Sequence, residues 1–371
     1  MKTYLLITLC VLVPLSSYAD DQINGLRVAG RTATAKDLIP HRVSNENYVE
    51  KYTFVSPLRL SNSPEGSEWN GRLYFSISVS NIGPGDHNVT AKGSIHLGDQ
   101  RYQWKVQRDD DEWSRDQKKL DIRVGGVQLY GSMKELHLEA KNKKGNVKIS
   151  WKSIAHAWRP SKNGLTTTDK KSVEFTLLPM NEITGTFQTK NGDTISVRGI
   201  GWAEHSWSHL GPHEWSRSNI QTRIFNPDTR QAVFLRQIRS GGDYQKGQFS
   251  YALVVQGQDH IFEGYSLTQD LKAQFVDRKH DNRYTFPTEF IMKGKDIRNQ
   301  SSLTAYFKTN KRDFHRNPIA KYSWVKRKVI EAVTQPMIYA YNLDYDIQVK
   351  GKSPLRFKGN NGRYEAYFYL K

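Results

Sequence analysis

Apolar and polar residues alternate one by one along much of this chain. The alternation is clearest in residues 73–79, 102–106, 173–177, 195–197 and 249–255. Successive side chains of a β-strand point to opposite faces of a sheet, so this period of two predicts strands that are half buried on one face.

Short runs of turn residues separate the alternating segments. Lys190-Asn191-Gly192-Asp193 and Asn360-Asn361-Gly362 are of the kind that closes tight hairpins between antiparallel strands. The pattern is not that of a βαβ fold, in which helices connect parallel strands. The sequence therefore predicts an all-β protein.

One segment departs from the period of two. Between residues 323 and 335, Val325, Val329, Ile330 and Val333 recur at helical spacing, with charged residues opposite them, and Pro336 follows. This pattern predicts a short amphipathic helix. Its role is either to plug or flank a barrel or to dock on a membrane through its basic face.

The N-terminus has the pattern of a cleavable secretory signal. Lys2 precedes an apolar run, residues 4–15, which is too short to span a bilayer, and small residues lead to a cleavage point after Ala19. Cys10, the only cysteine, lies inside this run, so the mature chain would contain no disulfide. We expect residues 1–19 to be a signal peptide and the protein to be periplasmic or secreted.

The charge balance is strongly basic. The chain has 55 Lys and Arg residues against 37 Asp and Glu, a formal net charge of +18. The basic residues are scattered in ones and twos and match no nucleic-acid-binding motif, so we expect no nucleic-acid partner. A cationic surface does favour anionic surroundings, and contact with an anionic membrane surface is a further expectation.

The number of strands exceeds what one barrel holds. About eighteen strands in a mature chain of roughly 350 residues favour two β domains in tandem. The irregular stretch from Gly211-Pro212 to Asn226-Pro227-Asp228 is the candidate junction. We place the domains at residues 20–225 and 226–371.

The stretch from Gly199 to Trp215, GIGWAEHSWSHLGPHEW, carries the densest candidate chemistry. His205, His209 and His213 are spaced by four residues, which on one regular element would align three imidazoles for zinc. Gly211-Pro212 interrupts any such element before His213, and no HExxH motif is present. We therefore expect neither a metal nor another cofactor.

The same stretch resembles the signature of a known group of proteins. Residues 199–208 are similar to the Gly-x-Gly-Tyr-His-Asp-His-Asn-Trp-Gly signature of the hydroxyneurosporene synthase (carotenoid 1,2-hydratase) and AttH-like group, which is related to the survival-factor family. Residues 210–215, 283–287 and 362–369 resemble later segments in the same order. The resemblance implies two lipocalin-like antiparallel β-barrels in tandem, with the signature at the end of the first.

The resemblance also suggests roles for individual residues. Glu204 stands where the hydratases have the acid proposed to protonate the double bond, and Trp202 stands where they have a tyrosine. His205 is retained, whereas Ala203, Ser206 and Ser208 depart from the signature. A different interpretation makes Glu204 a carboxylate paired with a basic residue such as Arg217 or Arg223.

Two functions from different classes follow. The first is an exported protein that binds a lipid or isoprenoid-like apolar ligand in a barrel cavity. Its candidate lining residues are Trp202, His205, Trp207, His209, His213 and Trp215. The alternative is a cofactor-independent hydratase or cyclase for an isoprenoid or alkene substrate, with Glu204 as the general acid. The tryptophans also suit plain packing between sheets or domains, and a structural or polyanion-binding protein without a cavity is a third reading.

Overall fold

The computed structural model describes most of the chain after the predicted signal peptide. The described residues are 21–23, 26–28, 31–41, 48–61, 69–81, 88–109, 112–143, 145–160, 165–166, 172–239, 248–278, 284–297, 301–320 and 322–370. The predicted signal peptide, residues 1–19, lies outside them.

Strands dominate the described part of the chain, with one 3₁₀ turn at Ala35–Leu38. The strands and helices are β1 (Asp21–Ile23), β2 (Leu26–Val28), β3 (Arg31–Thr32), β4 (Tyr48–Leu60), β5 (Gly71–Asn81), β6 (Asn88–Leu97), β7 (Gln100–Arg108), β8 (Trp113–Arg115), β9 (Leu120–Val124), β10 (Val127–Gly131), β11 (Glu135–Asn142), β12 (Gly145–Ser153), β13 (Trp158–Arg159), β14 (Leu165–Thr166), β15 (Ser172–Thr189), β16 (Thr194–Ser208), α1 (Pro212–Trp215), β17 (Ser218–Asn226), β18 (Gln231–Arg239), β19 (Gln248–Gln256), β20 (Asp259–Tyr265), β21 (Thr268–Val276), β22 (Thr285–Lys295), β23 (Ser302–Arg316), α2 (Trp324–Val333), β24 (Gln335–Lys350) and β25 (Leu355–Leu370).

The strands form two large antiparallel sheets. The first runs β7-β6-β5-β4-β16-β15-β12-β11-β10-β9-β8, with β3, β13 and β14 beside it, and β6 and β7 curve round to contact β9. The second runs β20-β19-β18-β17-β25-β24-β23-β22-β21. Together they make a nearly closed barrel and a half-barrel sheet, which confirms the predicted all-β, lipocalin-like architecture.

Three apolar clusters hold the molecule together. One fills the inside of the first sheet and a second lies inside the second sheet. The third lies between the sheets, where Trp202 of β16 and Phe175 of β15 meet Phe234 of β18 and Tyr251 of β19. Because of this third cluster, β18 and β19 are buried on both faces, unlike the half-buried strands that the alternation predicts.

The chain passes from one sheet to the other between Ser208 and Ser218. The short helix α1 occupies this crossing, and β17 already pairs with β18 and β25 of the second sheet. The change of sheet therefore comes before the boundary that we placed after residue 225, which falls inside β17.

Two local predictions, the turn at residues 360–362 and the helix near residues 323–335, have different outcomes. The turn predicted at residues 360–362 is wrong, because β25 continues through it and its register with β24 shifts between Leu343 and Tyr345. Asn361 fills this irregularity by accepting a hydrogen bond from the Tyr345 hydroxyl at 2.9 Å.

The predicted helix near residues 323–335 is confirmed as α2, between β23 and β24. It flanks the second sheet by packing against β24, and its exposed apolar residues point to solvent. In the described part of the chain, no helix is long and apolar enough to cross a membrane.

Candidate functional site

The signature segment forms β16, which lies between β4 and β15 in the first sheet. Its ladder is irregular at Gly201: pairing with β4 skips two positions beside Pro57, and pairing with β15 shifts beside Pro179. Proline has no N–H to donate to a ladder, so both neighbours weaken the sheet here. The Asn181 amide compensates by donating to the carbonyls of Leu178 and Gly201, at 2.9 and 3.2 Å.

Glycine is required at this irregular place because the backbones come close. A β-carbon on Gly201 would lie 2.5 Å from the carbonyl oxygen of Val55, and one on Gly199 would lie 2.5 Å from that of Pro57. The Gly-x-Gly of the signature therefore permits close packing of β16 on β4.

Beyond Gly201, alternation sends the side chains of β16 to two different places. Trp202 and Glu204 face the second sheet, whereas His205 and Trp207 face the inside of the first. The predicted site residues are therefore split between two environments.

Glu204 is paired with arginines of the second sheet. Nη2 of Arg236 donates to both carboxylate oxygens at 3.1 Å, and Nη2 of Arg223 lies 3.8 Å away. Burial by itself raises the pKa of Glu204, but the charges of Arg236 and Arg223 outweigh it and lower the pKa. The carboxylate stays ionised at neutral pH, so it has no proton to give as a general acid.

The ion pairs around Glu204 form a network across the sheets. Arg223 also donates to Glu365 of β25 at 2.9 Å and lies over the ring of Trp202, 4.8 Å from its centroid. Arg236 lies 4.0 Å from the ring centroid of Phe175. Charged groups buried among aromatic rings in this way join the first sheet to the second.

His205 belongs to a different cluster, inside the first sheet. Its Nε2 lies 2.7 Å from Oε1 of Glu50, and its Nδ1 lies 2.7 Å from the backbone carbonyl oxygen of Asp37. Nδ1 of His41 lies 3.0 Å from the same Glu50 oxygen. We call His41, Glu50 and His205 the histidine–glutamate cluster.

The hydrogen bonds of His205 fix its protonation. A carbonyl oxygen only accepts hydrogen bonds, so Nδ1 must carry a hydrogen. Nε2 faces a carboxylate oxygen, so that contact needs a second hydrogen, located on the imidazole or on Glu50. The pair therefore holds one more proton than a neutral imidazole and a carboxylate hold together.

The pKa of Glu50 is set by its burial and by its contacts with the two histidines. Burial by itself raises the pKa of Glu50, but hydrogen bonds from His205 and His41, together with their charge, hold it well below its usual range. Glu50 is therefore a carboxylate that accepts these hydrogen bonds. Both side chains are almost fully buried, with exposures of 0% and 1%.

Two tyrosines complete the surroundings of Glu50. The hydroxyl of Tyr48 donates to Oε2 of Glu50, and that of Tyr52 lies 3.2 Å from Oε1. Burial and the Glu50 charge raise the pKa of both tyrosines well above the usual range, so the hydroxyls stay protonated. The ring of Tyr52 also stacks on His205, with centroids 4.2 Å apart.

The cluster reaches the protein surface through His41. The His41 side chain is 25% exposed and stacks on Trp207, with ring centroids 3.9 Å apart. The ring of His209 also contacts Trp207, edge-on, with ring centroids 4.7 Å apart. The buried pair of His205 and Glu50 thus connects to a partly exposed imidazole, that of His41, which stacks on Trp207.

The remaining predicted residues lie elsewhere. Trp215 is in α1, where it packs against the cluster between the sheets, 6.2 Å from the ring of Phe175. His213 is half buried in the same helix. His205, His209 and His213 therefore do not form a ligand set, in agreement with the Gly-Pro interruption between them.

A different trio has the right atoms for a metal. Within the described ranges, only His41, Glu50 and His205 bring three metal-ligating groups together, with ligand atoms within 4.8 Å of one another. Two imidazoles and a carboxylate are ligands that zinc takes, and the Nδ1 contact of His205 to a carbonyl would orient it for that role. The same atoms could therefore hold a divalent cation in place of the shared proton.

Sequence reasoning did not identify His41 and Glu50 as site residues. The sequence does contain a signal for Glu50. It is a charged residue at an inward-facing position of β4, between Tyr48 and Tyr52, where the alternation predicts an apolar residue. No pattern near His41 indicates its role, because its partners are brought to it by the pairing of β4 with β16.

The fold is lipocalin-like, with a nearly closed barrel followed by a half-barrel sheet. No family model and no curated protein sequence matches the chain.

Among solved structures, the chain is similar to an AttH-like protein of Nitrosomonas europaea, with a TM-score of 0.55 and 11% identity over 90% of this chain and 95% of that one. It is also similar to CghA, with a TM-score of 0.54 and 6% identity over 93% and 98% of the two chains. Kievitone hydratase of Nectria haematococca aligns with a TM-score of 0.49 and 11% identity over 93% and 94%. At these identities the likeness establishes the fold alone.

Proposed function

We propose that this protein is a cofactor-independent hydratase or cyclase that protonates an alkene of an apolar, isoprenoid-like substrate. The resemblance of residues 199–208 to the carotenoid hydratase signature supports this reaction class, and the lipocalin-like fold agrees with it. The acid, however, is the histidine–glutamate cluster and not Glu204, because Arg236 and Arg223 keep Glu204 ionised.

The observation that carries the proposal is the extra proton shared by His205 and Glu50. Both nitrogens of His205 face oxygen acceptors, so the cluster stores a proton in a dry environment. A proton held away from water is available for general-acid catalysis, a contribution of about 100- to 10,000-fold. A weak acid protonates only an alkene whose carbocation is well stabilised, so we expect a trisubstituted or conjugated double bond in the substrate.

The histidine–glutamate cluster supplies the proton that starts the reaction and takes up the proton released at its end. The alkene π electrons form a bond to a proton delivered through His41, and positive charge develops on the other alkene carbon. The face of Trp207 stacked beside His41 stabilises such a cation. For hydration, a lone pair of water forms the C–O bond and the released proton returns to the cluster. For cyclisation, a second double bond attacks the cation and forms a C–C bond, the positive charge moves to the far carbon of that double bond, and an adjacent C–H bond gives up its proton to the cluster.

The test follows hydrogen from solvent into product. The purified protein is incubated in D₂O with a panel of isoprenoid and conjugated alkenes, and products are analysed by mass spectrometry after return to H₂O. Hydration adds one water and leaves one deuterium on carbon, and cyclisation leaves an isomer with one deuterium on carbon. We expect His205→Gln to lower the rate at least about 100-fold.

Two variants make the assignment specific. His41→Gln should lose activity, whereas His137→Gln is the matched control, because His137 is a half-buried histidine of the first sheet that pairs with Ser150 at 2.9 Å. Glu204→Gln should retain activity. Loss of activity in Glu204→Gln with retention in His205→Gln would return the acid role to Glu204. Alkenes that bind but come back without deuterium on carbon would support the ligand-binding protein predicted from the sequence and contradict the enzyme.

A further inference from the structure

The described residues expose seven large hydrophobic side chains, and five of them lie on or just before α2. Trp324, Val325, Val329 and Val333 are 65%, 64%, 66% and 45% exposed, and we call these four residues the α2 stripe. The fifth, Tyr322, is 40% exposed. Four exposed apolar side chains within the ten residues of α2 form a cluster, whereas exposed apolar residues on an ordinary protein surface are scattered singly.

The helix exposes its apolar side because it packs through its other side. Val325, Val329 and Val333 are spaced by four residues and form one row along the helix. On the opposite side, Ile330 is half buried, and Thr334, the residue that ends the helix, is buried. The α2 stripe therefore points away from β24, against which the helix packs.

Positive charge surrounds the α2 stripe. Residues 311–335 contain seven Lys and Arg residues and two acidic residues, a formal charge of +5. Lys328 is exposed on the helix, and Lys311, Arg312 and Arg316 are exposed at the end of β23. Arg316 pairs in register with Ile338, close to the point where α2 leads into β24, so these charges lie at the same end of the sheet as α2.

We propose that the α2 stripe docks on the surface of an anionic lipid bilayer, with α2 lying in the headgroup plane. A row of valines and an exposed tryptophan in the first turn, with lysine and arginine beside them, are the composition of helices that insert apolar side chains and bind anionic headgroups. Contact through the apolar side differs from the basic-face contact expected from the sequence. The proposal is independent of the proposed enzymatic function.

Charge favours a bilayer over a second copy of the chain. A two-fold contact would set the α2 stripe against itself and bring Lys328 and the neighbouring arginines close to their own copies. Like charges in an interface oppose association, whereas anionic lipid neutralises them. Four exposed apolar residues also give only weak insertion, so binding should need the anionic lipid as well.

The test measures co-sedimentation of the protein, purified as its host produces it, with vesicles. Phosphatidylcholine vesicles with and without phosphatidylglycerol are compared at low and high salt. The double variant Val325→Glu/Val329→Glu is compared with the control Leu271→Glu/Ile297→Glu, which introduces the same charge at exposed hydrophobic residues of β21 and of the turn after β22. Far-ultraviolet circular dichroism and thermal melting check that all variants fold.

We expect binding to phosphatidylglycerol vesicles that is at least about tenfold weaker in the α2 double variant and close to wild type in the control. Lys328→Glu should weaken binding by at least about fivefold, and high salt should weaken it further. Brominated lipids should quench less fluorescence in Trp324→Phe than in the wild type. Equal binding by the double variant and its control would overturn the proposal. So would a dimer in solution that the double variant dissociates, because a second copy would then cover the α2 stripe.

Discussion

His205 has one ring nitrogen against a backbone carbonyl oxygen and the other against a carboxylate oxygen, so the pair of His205 and Glu50 shares an extra proton. The same cluster reaches solvent at His41, whose side chain is 25% exposed. Glu204, one residue before His205, is held by arginines and stays ionised. Glu204 and His205 are adjacent on β16 but point to opposite faces of the sheet. They therefore meet different partners, arginines for Glu204 and a carboxylate for His205.

The first prediction concerns the pH dependence of stability at Glu50. Its pKa in the folded protein lies well below 4.5, the ordinary value, so its stabilisation is complete above pH 4.5 and is lost as pH falls towards the folded pKa. We expect Glu50→Gln to lower the free energy of unfolding by about 3 kcal/mol at pH 7, because it breaks a buried pair. The difference from wild type should shrink as pH falls below 4.5.

Denaturant unfolding between pH 7 and pH 3 checks this prediction. Glu139→Gln is the control, because Glu139 is 40% exposed and its distance to Lys148 is 3.7 Å. It should change stability by less than about 1 kcal/mol. A Glu50→Gln difference that grows as pH falls would contradict the assignment.

The second prediction concerns the pair of Glu204 and Arg236. Glu204→Gln leaves a buried arginine with less compensation, and we expect a loss of about 3 kcal/mol in the free energy of unfolding. Measured as a double-mutant cycle with Arg236→Gln, the two changes should be coupled by about 1 to 3 kcal/mol. The exposed pair of Asp346 and Arg356 provides a comparison cycle, where coupling should stay below about 1 kcal/mol. Equal coupling in both cycles would argue against a buried ion pair at Glu204.

At the scale of elements, β16 is shaped by its neighbours. Pro57 in β4 and Pro179 in β15 interrupt its hydrogen-bond ladders beside Gly201, and the glycines let the backbones approach. The signature glycines thus have a structural reason that holds whether or not the protein is an enzyme. The irregularity lies directly before the residues that face the two clusters.

The third prediction tests this structural reason. A β-carbon at Gly201 meets backbone atoms that cannot move away, so Gly201→Ala should cost about 2 kcal/mol of unfolding free energy. Gly294→Ala serves as the control, since its nearest contact is the end of the Leu267 side chain, which can rotate. Chemical denaturation should rank Gly201→Ala as the more destabilising change. The reverse order would mean that the close approach of β4 and β16 is not needed.

At the scale of the whole molecule, the two sheets share one buried apolar cluster. Trp202, Phe175 and Phe234 belong to it, and the network of Glu204, Arg223 and Arg236 lies beside it. A buried contact of this kind links the stability of the two halves. We therefore expect the sheets to unfold together.

The fourth prediction follows from this contact. Phe234 is 5% exposed and meets Trp202 edge-on at 5.9 Å, so Phe234→Ala should cost about 3 to 5 kcal/mol. The wild type should show one unfolding transition by tryptophan fluorescence and by circular dichroism. Exposed Leu271→Ala should leave that transition almost unchanged. Two separate wild-type transitions would show that the sheets are independent domains.

Much of the fold follows from local pattern. The alternation in residues 73–79 and 249–255 corresponds to β5 and β19, and the helical spacing after Ser323 corresponds to α2. The failures also have local causes. Asn360-Asn361-Gly362 has turn composition but lies in a strand, because β24 pairs with the residues on both sides of it.

The sequence by itself determined the period of the strands, the place of α2 and the alternation that separates Glu204 from His205, because each depends on residues within a few positions of one another. Only the tertiary structure decided which partners those residues meet. His205 reaches Glu50 across 155 positions, and Glu204 reaches Arg236 across a contact between two sheets. Such contacts depend on strand register and on how the sheets curve and pack, which no short stretch of sequence specifies. The same holds for the exposed side of α2, because packing against β24 decides which face meets solvent.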